Sequence, residues 1–261
     1  MLSGGSAVIR KRLVGVVTVK DGWAVQSFGY ARQLPLGRPE VMAANLDRWG
    51  ADEILLQCID RAGSGPDLAL LDKVSRQGLS TPLIYAGGVR SAADGIAAIK
   101  AGADRICIDA LLHDDPDAAL AVCEPLGAQA VIAALPLSHG PEGLLWLDYR
   151  NGSSCPLDPH LLQLLRSGAI SEALVIDWRH EGQAAAFDLR LLEHPQLQGI
   201  PLIAFGGLSG EPLLRRALEL PQVVAAAQGN FLAYREHAIQ ALRQQLQGLP
   251  LRRAHYDSRT S

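Results

Sequence analysis

An eight-residue pattern appears twice in this chain. Thr81-Pro82-Leu83-Ile84-Tyr85-Ala86-Gly87-Gly88 returns as Ile200-Pro201-Leu202-Ile203-Ala204-Phe205-Gly206-Gly207, 119 residues later. Asp67-Leu68-Ala69-Leu70-Leu71-Asp72 is echoed by Asp188-Leu189-Arg190-Leu191-Leu192-Glu193 at an offset of 121. A shorter unit recurs as Gly50-Ala51-Asp52-Glu53-Ile54 and Gly102-Ala103-Asp104-Arg105-Ile106, where glycine closes a helix and an apolar strand follows. Ordered matches at nearly half the chain length predict two related halves sharing one core, not two independent domains.

Short apolar runs lie at 13–19, 53–60, 82–86, 105–109, 130–136, 172–177, 201–205 and 222–227. Most are too apolar to face water on one side, as expected of parallel strands covered on both faces. Helical patterns fall between them, at 38–49, 67–77, 91–100, 116–124, 159–166, 188–194, 210–220 and 231–246. Several open on a cap or an early proline, such as Asp67, Ser91, Asp115-Pro116 and Asp158-Pro159. Eight β/α units in 261 residues predict an α/β protein with a single (β/α)8 TIM barrel of two half-barrel repeats. Residues 1–10 and 248–261 are expected to be peripheral.

Composition removes other classes. The net charge of −3 gives no basic field for nucleic acid or an anionic membrane. The apolar runs fall short of the ~20 residues that span a bilayer, and the N-terminus lacks a secretory apolar stretch. A cytoplasmic protein is expected. Cys58, Cys107, Cys123 and Cys155 show no metal or disulfide spacing. No metal or cofactor is expected.

In such a barrel the chemistry sits at the C-terminal ends of the strands. Gly87-Gly88 and Gly206-Gly207 fall there, each ahead of a helix, where backbone N–H groups suit phosphate or another anion. The second pair is the better candidate, because Asp109 ends the strand beside the first. A carboxylate ~4 Å from a phosphate costs about 1 kcal/mol in water and several when partly buried. Asp60 and Asp177 end other strands, and Asp21 lies just past the first. Acids converging on a mouth suit proton transfer; the plainer reading is capping, or salt bridges with Arg61, Arg90 or Arg179. At the opposite end, Arg12, Glu53, Arg105 and Glu172 stand at four strand starts. They predict an ionic ring around the barrel axis, either a structural plug or a gate for a small molecule.

Val19-Lys20-Asp21-Gly22, Ala86-Gly87-Gly88, Ala204-Phe205-Gly206-Gly207 and the two Gly-Ala-Asp units together carry a resemblance. Over roughly residues 10–245 the chain resembles the HisF-type cyclase subunit of imidazole glycerol phosphate synthase, in the histidine-biosynthesis half-barrel family. Leu34-Pro35-Leu36-Gly37-Arg38-Pro39-Glu40 is more similar to the HisF homologues that accompany surface-sugar amidation genes. The resemblance implies a HisH-like glutaminase partner whose ammonia enters the barrel from below. The ammonia is then used at the top, in a lyase and ring-closure reaction on a phosphoribosyl-formimino substrate. Arg12, Glu53, Arg105 and Glu172 match the family's ammonia gate and keep its charge signs. Asp104 matches a glutaminase contact.

The top face departs from the family. Thr18 and Pro136 match its two acid/base aspartates, and neither can do that work near pH 7. Cys58 replaces a further aspartate, with Asp60 two residues on. Asp109-Ala110 stands for an Asn-Thr pair, Gln26 for a lysine, Phe205 for a serine, and Gly229 for the serine of the last phosphate loop. Three readings follow. One is an ammonia-using lyase/cyclase or amidation subunit acting on an altered, sugar-phosphate-type anion through Asp21, Asp60, Asp109 or Asp177. Another is ordinary cyclase activity. The third is a non-catalytic scaffold for a glutaminase or a small anion.

Overall fold

The computed structural model describes residues 10–234 and 236–254. The strands are β1 (Arg12–Lys20), β2 (Trp23–Phe28), β3 (Arg32–Gly37), β4 (Glu53–Cys58), β5 (Leu83–Ala86), β6 (Arg105–Ile108), β7 (Val131–Gly140), β8 (Gly143–Asp148), β9 (Ser153–Pro156), β10 (Glu172–Asp177), β11 (Leu202–Phe205) and β12 (Val223–Gln228). Eight of them pair in parallel in the ring order β1, β4, β5, β6, β7, β10, β11, β12, and β12 returns to β1. The β7–β10 pairing, from Glu172 opposite Ile132 to Asp177 opposite Leu137, completes the closure. This is the single (β/α)8 barrel that the eight apolar runs predict.

The helices are α1 (Pro39–Arg48), α2 (Leu68–Ser75), α3 (Ala92–Lys100), α4 (Ala110–Asp114), α5 (Pro116–Leu126), α6 (Pro159–Ser167), α7 (Glu211–Glu219) and α8 (Ala238–Gln245). Their starts obey local chemistry. Asp67, Ser91, Asp115 and Asp158 each accept a first-turn backbone N–H, and Pro39, Pro116 and Pro159 occupy first positions, where no N–H is needed.

Two helical expectations are corrected. The 188–194 segment forms only a 3-10 turn, Leu189–Leu191, because Pro195 holds His194 extended and ends any helix within seven residues of the Asp188 cap. The 231–246 segment splits into a 3-10 turn, Asn230–Tyr234, and α8, with His237 left-handed between them at φ +57°.

Side-chain alternation builds two layers. Val14, Val16, Leu55, Ile84, Ile132, Leu174 and Ile203 point inward and fill the barrel. Leu13, Val17, Ile54, Leu56, Val131 and Val175 point outward against the helices. Full burial of such a side chain contributes roughly 1.5–3 kcal/mol before entropy is counted.

The repeat is visible in atomic contact. A Cβ on Gly87 would stand 2.7 Å from the Cys58 carbonyl oxygen, and one on Gly206 would stand 2.6 Å from that of Asp177. Gly88 faces Arg61 and Gly207 faces His180 in the same way. Every member of the second set lies 119 residues after its counterpart.

The first strand of each half runs past the barrel. β1 turns at Asp21-Gly22, both at positive φ, into β2 and β3. β7 turns at Pro141-Glu142 into β8 and β9. These hairpins arch over the mouth and were not among the eight predicted strands. The chain ends meet at the base, where Lys11 N–H donates to the Pro250 carbonyl and Arg252 N–H to the Lys11 carbonyl, each at 2.8 Å. The rest of the expected peripheral ends, residues 1–9 and 255–261, lies outside the described residues. Among those described, no helix is long and apolar enough to cross a membrane.

Candidate active site

The four charges at the strand starts meet. Arg12 lies 3.3 Å from Glu53 and 2.8 Å from Glu172; Arg105 lies 3.3 Å from Glu53 and 2.9 Å from Glu172. Each base touches both acids, so the base of the barrel carries a closed ring. None of the four side chains is more than 13% exposed. Burial pushes the Glu53 carboxyl up against the pull of Arg12 and Arg105, and its Oε2 has no hydrogen-bond partner.

Above the ring the interior is apolar. Val14, Leu55, Ile84, Cys107, Ile132, Leu174 and Ile203 enclose a void of about 10 Å³. Cys107 and Leu174 also form part of the floor of a larger cavity at the mouth, of about 240 Å³. Pro136 and Ile176 complete that floor, Gly87 and Gly88 form one wall, and Lys20, Tyr30, Arg90 and Tyr149 stand around it. Gln57 Nε2 donates to Tyr30 Oη at 3.1 Å, fixing the tyrosine over the opening.

The four candidate aspartates do not converge. Asp109 alone lines the cavity. Its Oδ1 is buried without a hydrogen bond, 3.9 Å from His113 Nε2. Burial pushes its carboxyl up to about 8, nearby Asp148 adds to the rise, and Arg150 opposes it. A carboxyl raised in this way holds its proton more readily than an ordinary aspartate and can then donate a hydrogen bond. Asp60 Oδ2 accepts the Asp21 N–H at 2.7 Å, so these two residues brace the first hairpin turn. Asp177 Oδ2 is 2.7 Å from His180 Nδ1 and accepts the Asp188 N–H at 2.8 Å, which ties down the loop after β10.

The space beside the two glycine pairs differs. Gly87-Gly88 borders the open cavity together with Asp109. Gly206-Gly207 and Gly229 border a space of only about 10 Å³, shared with Glu181, Phe205 and Asn230. Thr18 lies off the main cavity, beside Gly229 and Asn230, whereas Pro136 lines it.

Sequence reasoning passed over Glu181, Tyr30 and the hairpins. Asp21-Gly22 was a signal for the first hairpin, since such pairs occupy two-residue turns with positive φ. Glu181 had none, because its partners lie some 150 residues away.

A parallel barrel of two repeated halves, with a glycine pair at the mouth of each and an ionic ring beneath, defines the class of half-barrel-repeat (β/α)8 proteins. Within it, the model of the family described as "Histidine biosynthesis protein" matches residues 12–237, and the chain belongs to that family. Similar proteins are named "Imidazole glycerol phosphate synthase subunit HisF". The one from Dehalococcoides mccartyi strain 195 is 27% identical over 253 residues, 94% of this chain and 99% of that protein. The one from Staphylococcus carnosus is 29% identical over 206 residues, 77% of this chain and 81% of its own length. That of Symbiobacterium thermophilum is 27% identical over 241 residues, covering 88% and 93%.

Proposed function

We propose that this chain is the acceptor subunit of a two-protein ammonia-transfer enzyme. A HisH-like glutaminase docks on the face around the Arg12–Glu53–Arg105–Glu172 ring, with Asp104 at the contact. Ammonia passes the ring, crosses the apolar interior and reaches the mouth. There it enters a lyase/cyclase or amidation reaction on a small anionic substrate of sugar-phosphate type. The observation that carries this reading is the closed ionic ring at one end of an apolar barrel interior whose other end is the open cavity.

Of the four candidate aspartates, Asp109 supports catalysis best. It lines the cavity with its carboxyl raised by burial, in the same wall as Pro136, which has no proton to give. Gly87, Gly88, Lys20 and Arg90 supply the anion's surroundings. The family's two-phosphate substrate fits poorly, because Thr18 and Pro136 replace its acid/base pair. The 34–40 stretch, similar to surface-sugar-associated homologues, supports a different acceptor. A second reading, a scaffold that binds a glutaminase without turnover, is favoured by those same two replacements. Co-purification with glutaminases of the same organism, followed by glutamine-dependent turnover on candidate sugar phosphates, tests both. Glutaminase stimulation with consumption of an acceptor supports the enzyme; binding without turnover supports the scaffold; no binding at micromolar concentration overturns both.

A further inference from the structure

The two halves of the mouth are related by the repeat, yet only one is open. In the second half, Glu181 is 3% exposed and borders the same small space as Gly206, Gly207 and Gly229. Its Oε2 accepts the Ser27 hydroxyl at 3.0 Å and the Tyr30 N–H at 3.2 Å, while its backbone carbonyl accepts the Gly29 N–H at 3.0 Å. All three donors belong to the β2–β3 hairpin. Asn230, next to Gly229, reinforces the closure by accepting the Ser27 N–H at 3.1 Å and donating to the Ser27 carbonyl at 2.6 Å. Gly182 makes the approach possible: its φ is +80°, and a Cβ there would lie 2.2 Å from the Ser27 carbonyl oxygen.

We propose that Glu181 latches this hairpin over the second glycine pair, so that the mouth takes a ligand with one anionic end, bound at Gly87-Gly88. The inference rests on the reading of the mouth as a substrate site and narrows its ligand class. The remaining space beside Gly206-Gly207, about 10 Å³, is room for about one water molecule and not for a phosphate group. A phosphate there would also have to displace the Glu181 side chain from the Ser27 hydroxyl and the Tyr30 N–H. The open half has opposite properties: a cavity of about 240 Å³, Lys20 and Arg90 at its rim, and an unpartnered carboxyl oxygen on Asp109.

The test compares ribose 5-phosphate with ribulose 1,5-bisphosphate by calorimetry on the whole chain, its Glu181→Ala variant and its Glu181→Gln variant. The wild-type chain should bind both sugars at one site with affinities within about threefold. Glu181→Ala should bind the bisphosphate at least tenfold more tightly than the wild type does and leave the monophosphate unchanged. Trypsin should also cut after Arg32 faster in that variant. Glu181→Gln keeps the size and an acceptor oxygen, so it guards against misfolding and should retain the slow cleavage. Tenfold preference of the wild type for the bisphosphate overturns the proposal, as does a Glu181→Ala variant indistinguishable from wild type. If neither sugar binds while glutaminase stimulation persists, the single-anion claim falls alone. If both are absent, the proposed function falls with it.

Discussion

Leu13 and Asp52 hold each other by two hydrogen bonds. The Asp52 N–H donates to the Leu13 carbonyl at 2.9 Å, and the Leu13 N–H donates to Asp52 Oδ2 at 2.8 Å. Leu83 and Asp104 repeat the arrangement, with both bonds at 2.8 Å. The recurring Gly-Ala-Asp unit is thus a staple at the base of each strand pair, and its aspartate works structurally whatever else it does. Asp52 additionally pairs with the mostly buried Arg243 at 2.7 Å. Asp52→Ala is therefore expected to cost about 3 kcal/mol, since it strips a buried cation of its partner. Asp104→Ala, at an exposed site, should cost about 1 kcal/mol. Denaturant unfolding of the two variants checks the ordering.

The same geometry selects the variant for the docking face. Asp104→Lys would remove the acceptor for Leu83 as well as reverse the charge, mixing stability with binding. Asp104→Asn keeps an acceptor oxygen and deletes only the charge. It should weaken glutaminase binding severalfold while stability changes by less than about 0.5 kcal/mol. Unchanged binding would remove Asp104 from the interface.

Within the ring, Glu172 touches both bases, accepting from Arg12 Nη2 through both oxygens at 2.8 Å and meeting Arg105 at 2.9 Å. Glu172→Ala leaves two guanidiniums sharing Glu53. The expected loss is about 3 kcal/mol, visible as a lower thermal midpoint. A loss below about 0.5 kcal/mol would show that the ring is solvated and does not seal the base.

Asp109 should make stability fall as pH rises from about 4 to about 8. In that window the folded chain keeps a proton that the unfolded chain has released, so its contribution is complete below the unfolded value and is lost as pH climbs through the folded one. Asp109→Asn should flatten the profile. The wild-type stability difference between pH 5 and pH 8.5 should exceed the variant's by at least about 1.4 kcal/mol, the worth of one pKa unit. Equal slopes would mean that Asp109 titrates as an ordinary carboxylate.

Turnover of the phosphoribosyl-formimino substrate with ammonium as nitrogen source should be about 10²–10⁴-fold below that of a family member with both aspartates, the usual cost of a missing general acid/base. A rate near the ordinary one would show that another group has taken over.

The barrel was legible because each strand carries its own signal, an apolar run of the right length, and because the halves repeat. The ring was legible for a related reason: its members all stand at strand starts, and barrel closure brings strand starts together. The mouth was harder. Strand-end aspartates look alike in one dimension, yet Asp177 is spent on His180 and Asp188, Asp60 on Asp21, and Asp109 keeps a buried oxygen without a hydrogen bond. The narrow space at Gly206-Gly207 was not legible, because what fills that half comes from Glu181 and from a hairpin joined to β1, far away in the chain. Local patterns say where a loop is, not which distant side chain lies down in it.

The two hairpins have a consequence for the chain as a whole. The one that grows from β1 is fastened to Glu181 and Asn230, both in the second half. The one that grows from β7 is fastened to the first: Arg150 pairs with Asp114 at 2.8 Å, Asp114 pairs with Arg90, and the His113 ring stacks on Trp146 at 3.5 Å. Each half thus wears the other's lintel. A fragment cut between α5 and β7 would keep the Gln57–Tyr30 and Asp60–Asp21 contacts of its own hairpin but lose the Glu181 and Asn230 anchors and the Arg150 and Trp146 contacts, so neither fragment alone would own a finished doorway. The traded arms make the two halves a single device.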